Sequence, residues 1–122
     1  MTNRLMFFAG LFCCITFFIS CSKASEDVLM PQQCDTTDMK YSTDILPIIT
    51  ANCYGCHGNG TVTNGVDLDG YDNVKAKAIS GQLIGVITHA DGYPAMPYDG
   101  NKLSDCEINK IRAWINKGAP DN

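Results

Sequence analysis

Basic residues are scarce in this chain: nine Lys and Arg stand against thirteen Asp and Glu, a formal net charge of −4. That balance excludes nucleic acid as a natural partner, since phosphate binding needs a basic footprint. Histidine is scarcer still, with two residues, His57 and His89. Without a second paired set of Cys or His, a structural zinc site has too few ligands. Strand-period alternation is absent, which removes the βαβ setting of thioredoxin-like redox proteins and leaves an all-α class. The longest apolar run, Leu5 to Ile19, falls short of the about 20 residues that span a bilayer. Internal repeats and low-complexity tracts are also missing.

The N-terminus has the form of a targeting segment. Met1-Thr2-Asn3-Arg4 is a basic start, Leu5 to Ile19 an apolar run, and Ser20-Cys21 a small-residue end, the pattern of a secretory signal over 1–20. Phe18-Ile19-Ser20-Cys21 resembles the lipobox of bacterial lipoproteins, with Phe18 where that family usually has Leu. The resemblance implies cleavage before Cys21 and acylation of its thiol, a stable membrane anchor when two or more chains are added. Ordinary cleavage nearby would instead leave a soluble periplasmic product. Residues 21–40 are polar and interrupted by Pro31, and they read as a tether. Loss of Arg4 reduces the nine basic residues to eight against thirteen acidic ones. The single domain assigned to 41–122 is then so small that a disulfide, a metal or a buried cofactor is expected to support its core.

Four helical stretches are predicted in that domain. The first has Ser42 or Thr43 as N-cap and carries Ile45, Pro47, Ile48, Ile49 and Asn52 into Cys53. Gly58-Asn59-Gly60 breaks it, and the following loop is rich in turn residues. Tyr71, Val74 and Ala78 make a second helical face ending at Gly81, and Leu83, Ile84 and Ile87 a third. Ser104-Asp105-Cys106-Glu107 is a capping box. It opens a fourth helix with Ile108, Ile111 and Ile115 on one stripe beside Trp114, stopped by Lys117, Gly118 and Pro120. Asp67-Leu68-Asp69-Gly70 lacks the glycine and glutamate positions of a calcium loop and reads as a turn.

Cys53-Tyr54-Gly55-Cys56-His57 is a C-x-x-C-H motif. Its two thiols are spaced to add across the two vinyl groups of one haem, and the adjacent imidazole is placed to bind the iron. A second axial ligand must come from Met30, Met39, Met96 or His89. Met30 and Met39 sit in the tether. Met96, in Pro94-Ala95-Met96-Pro97, is favoured because two prolines restrict its loop and Pro97 biases Met96 towards extended backbone. His89 remains the alternative, giving bis-histidine ligation or a hydrogen bond to a propionate. Lys102 and Arg112 are further propionate candidates. His57 needs an acceptor for its other ring nitrogen, which the sequence does not identify.

At these residues the chain resembles the class I c-type cytochromes, in particular the monohaem domains of exported bacterial lipoproteins. The likeness covers 41–120: Asp44-Ile45-Leu46-Pro47-Ile48-Ile49 before Asn52-Cys53, the Met96-Pro97 pair, and Ile111-Arg112-Ala113-Trp114-Ile115 ending in Gly118-Ala119. It implies about four short helices around one haem c, with Cys53 and Cys56 as thioether sites and His57 and Met96 as axial ligands. Many members have a proline soon after the motif whose carbonyl receives the histidine N–H. No proline lies between Gly58 and Tyr93, so that acceptor cannot be carried over. With Cys13 and Cys14 removed in the signal, lipid on Cys21 and haem on Cys53 and Cys56, Cys34 and Cys106 remain, as an extracytoplasmic disulfide or as two buried thiols. The implied function is single-electron transfer between redox protein partners, without catalysis. The alternatives are a redox or gas sensor and a peroxidase-like enzyme, both with a labile distal ligand.

Overall fold

A computed structural model describes residues 34–122. The signal segment, Cys21, Met30 and most of the expected tether lie outside the described residues. The fold is helical, and among the described residues there is no strand beyond a single Thr63–Val66 bridge. No described helix is long and apolar enough to cross a membrane.

The first helical segment differs from the one expected. It starts as a π-helical turn, Tyr41–Ile45, continues as α1, Leu46–Asn52, breaks at Cys53, and resumes as the single turn α2, Tyr54–His57. Neither Ser42 nor Thr43 caps it. The Asp44 carboxylate does that work, accepting the Lys40 N–H at 3.0 Å, while the Ser42 hydroxyl donates to the Asn122 carbonyl at 2.8 Å. Pro47 sits in the first turn of α1, where its missing N–H leaves no bond unmade. Ile48 and Ile49 turn inward.

Helix α3, Tyr71–Ile79, buries Val74 and Ala78, and α4, Gln82–Ile87, buries Leu83, Gly85 and Ile87. Gly81, at φ 78°, makes the left-handed corner between them, a conformation that costs glycine little. The last helix, α5, Asp105–Asn116, packs against both the π-helical turn and α4. Its buried stripe is Ile108, Ile111 and Trp114, with Ile115 only half-buried. Trp114 is fully enclosed with Ile45, Ile49, Val74, Ile87 and Ile111, and the Tyr41 ring lies 5.6 Å from its ring centre. The indole N–H donates to the Pro120 carbonyl at 2.9 Å, so no polar atom of this side chain is left unpaired.

The expected capping box of α5 is present. Ser104 Oγ accepts the Glu107 N–H at 3.2 Å, and Glu107 Oε2 accepts the Ser104 N–H at 2.9 Å. The Ser104 hydroxyl, then the Ser104 and Asn52 N–H donors, hold the Glu107 carboxyl below its ordinary value of 4.5. The unfolded chain therefore takes up this proton at higher pH than the folded one. The carboxylate's contribution is complete above pH 4.5 and is lost as pH falls through the lower folded value. Ser104→Ala is expected to cost about 1 kcal/mol in denaturant unfolding. Glu107→Gln should flatten the acid limb of the stability profile; an unchanged limb would count against this account.

Residues 34–40 were expected to be tether, yet they belong to the domain. Cys34 is disulfide-bonded to Cys106, Asp38 pairs with Lys117, and Met39 is only 5% exposed, packed in the core. The cause is a single apolar residue within a polar stretch, held down by a bond to a distant helix. Met39 is thus a core side chain.

Candidate cofactor-binding cleft

The break at Cys53 builds the site. Its carbonyl accepts the N–H groups of both Cys56 and His57, at 3.1 and 2.9 Å, and so winds the motif into one tight turn. Cys53, Cys56 and His57 line a cleft of about 430 Å³ together with Ala51, Asn52 and Gly55. Ile87, Met96, Pro97, Tyr98 and Leu103 complete the wall from α4 and the loop that follows it, and Thr63 and Asn64 add the rest. The volume falls within the roughly 300–1,000 Å³ usual for cofactor sites. Among the described residues no carboxylate lines it, and the one imidazole is that of His57.

Both thiols of the motif are free, Cys53 half-buried and Cys56 exposed. Burial pushes the Cys53 thiol up to about 11. It is therefore protonated at neutral pH, the wrong state for a redox nucleophile, which acts as thiolate.

The partner for His57, unidentified in the sequence, is the backbone carbonyl of Val66, 3.2 Å from Nδ1. A carbonyl can only accept, so this bond requires the proton on Nδ1 and leaves the Nε2 lone pair for a metal. Val66 is presented by a tight turn in which Asn64 and Gly65 both take left-handed backbone, at φ 53° and 72°, closed by Val66 N–H to Thr63 O at 3.1 Å. Asn-Gly is the strongest two-residue signal for such a turn, and it was the available clue. Bonds from Thr63 N to Cys56 O, 3.1 Å, and Leu68 N to His57 O, 2.7 Å, fasten the turn to the motif. The Asp69 carboxylate fixes the intervening loop by accepting the Gly60 and Asn59 N–H groups, and these bonds hold its pKa below the ordinary aspartate value.

Met96 is half-buried. Its N–H donates to the Val86 carbonyl at 3.0 Å, its own carbonyl lies 3.0 Å from His89 Nε2, and its peptide bond to Pro97 is cis. His89 is exposed and does not line the cleft. Lys102 pairs with Asp105, and Arg112 donates to Asn109. Among the described residues no group of three or more His, Cys, Asp or Glu side chains gathers around a common point. The cleft offers two thiols, one imidazole and one thioether.

No family model, curated protein or solved structure matches the chain. What the cleft can hold is therefore argued from its own donor set. Soft thioether sulfur and a neutral imidazole suit a transition metal, but two ligands alone make a poor cage for a free ion. An imidazole and a thioether are donors of the kind that can serve a metal whose remaining positions a planar ligand fills.

Proposed function

We propose that this chain is an exported monohaem c-type cytochrome of the class I kind, carrying single electrons between redox protein partners. One observation carries the reading: Cys53, Cys56 and His57 share a cleft with Met96, a residue far along the chain. Bound haem would supply a one-electron couple and two vinyl groups. Cys53 and Cys56 would hold it covalently, each S–H adding across one vinyl C=C to give a C–S and a C–H bond without net oxidation or reduction. His57, with its Nδ1 proton held by the Val66 carbonyl, would offer Nε2 to the iron, and Met96 would offer its sulfur. With both residues as ligands the group would favour outer-sphere electron transfer over binding of oxygen or peroxide. Among the described residues no carboxylate or second imidazole lines the cleft, so a peroxidase would lack the usual distal acid–base group. A sensor would need Met96 to dissociate readily. The setting belongs to the same proposal: Cys21 as the lipid anchor on a bacterial membrane, with the domain facing the periplasm or cell surface.

The test is expression with cytochrome c maturation machinery, followed by mass spectrometry of the mature protein. We expect one covalent haem, acylation at Cys21 and a disulfide between Cys34 and Cys106. Cys53→Ala together with Cys56→Ala should release the haem under denaturing extraction. A mature protein carrying no haem mass would sink the proposal.

A further inference from the structure

We infer that His89 is a positioning residue that holds the Met96 loop, and with it the thioether, in place over the cleft. The inference rests on the cytochrome reading for what Met96 does, and on hydrogen bonds of this chain for how it is held.

Met96 is flanked at two places by prolines, Pro94 and Pro97, which have no backbone N–H to give. Anchoring of this stretch therefore falls heavily on Met96 itself. Its backbone is gripped on both sides: the N–H by the Val86 carbonyl at 3.0 Å, the carbonyl by the His89 imidazole at 3.0 Å. The same Val86 carbonyl also accepts the His89 N–H, at 3.3 Å. His89 thus joins the end of α4 to Met96 through its backbone and its ring together.

Its geometry is specific. His89 sits at φ 55°, in the left-handed region, where histidine, asparagine and aspartate are enriched over other non-glycine residues. The turn is closed by Ala90 N–H to Gly85 O at 3.0 Å. Farther along, the Tyr93 ring lies so near Gly85 that a Cβ there would meet it at 2.6 Å. These contacts set the far limb of the loop, and the imidazole sets the limb bearing the ligand. Because the carbonyl can only accept, the ring nitrogen facing it carries a proton. What separates His89 from the role of second axial ligand is its place, exposed and outside the cleft wall.

The experiment compares haem-loaded wild type with two variants. His89→Asn keeps a residue that tolerates the left-handed turn, but its amide is too short to reach the Met96 carbonyl. His89→Gln puts an amide N–H at about the reach of the imidazole Nε2. Three readouts are followed: the far-red band of the ferric iron–thioether bond, the rate of carbon monoxide binding to the ferrous protein, and hydrogen exchange at the Met96 amide. For His89→Asn we expect a weakened band, carbon monoxide binding and amide exchange each faster by about fivefold, the size of one net hydrogen bond, and little change in thermal midpoint. For His89→Gln all three should return close to wild type. Wild-type behaviour in His89→Asn, or failure of His89→Gln to rescue, overturns the inference. A wild-type protein that binds haem but lacks the band overturns Met96 ligation itself, and this inference with it.

Discussion

Replacing Met96 by Ala is expected to abolish the far-red absorption band of the ferric protein and to let the ferrous form bind carbon monoxide stoichiometrically. Among the described residues Met96 supplies the only thioether in the cleft wall, and in the proposed cytochrome alanine would offer the iron nothing. The fold should survive the change, because Met96 is half-buried in a loop and none of the fully enclosed core side chains is touched. The reduction potential should fall on the order of a hundred millivolts, a modest part of the about 0.8 V that axial ligands command. The variant should also gain peroxide reactivity, although among the described residues no carboxylate or second imidazole lines the cleft to assist it. Optical spectra at neutral pH and a redox titration suffice. A band that survives the substitution shows that another side chain binds the iron.

Breaking the Cys34–Cys106 disulfide is expected to have the largest effect on stability. The bond spans a sequence separation of 72 residues, and closing a loop of that length removes enough freedom from the unfolded chain to stabilise the fold by roughly 4 kcal/mol in the chain-entropy picture. That is a large share of the total for so small a domain. It also keeps Met39 against the core, so loss of burial should add to the loss of constraint. Denaturant unfolding of Cys34→Ala, Cys106→Ala and the double variant would measure the effect, and the three should be nearly equal because each removes the same bond. Haem content should be unchanged, since Cys53 and Cys56 play no part in this bond. A loss below about 1 kcal/mol would mean that the unfolded chain keeps this loop compact without the bond.

The features legible in the sequence were those written in side chains at fixed spacing. The capping box at Ser104 and Glu107, the corner at Gly81 and the inward face of Val74 and Ala78 all come from local rules that tertiary packing left undisturbed. What escaped was written in backbone or in a single distant contact. The acceptor for His57 is a main-chain carbonyl, which any residue at position 66 could supply, so only the Asn64-Gly65 turn that aims it had a signature. The start of the first helix escaped because Asp44 reaches back to the Lys40 N–H across a widened turn, where standard capping would use Ser42 or Thr43. Met39 escaped because one apolar residue carries no periodicity. Only the fold reveals what lies above it.

The disulfide has a mechanical consequence as well. Its two sulfurs tie the first described residue, Cys34, directly to the second residue of α5. A pull arriving along the preceding chain enters the longest helix of the domain through a covalent bond. The Met39 contact and the Asp38–Lys117 pair are then shielded from peeling, and the segment leading to the cysteine motif bears little of the load.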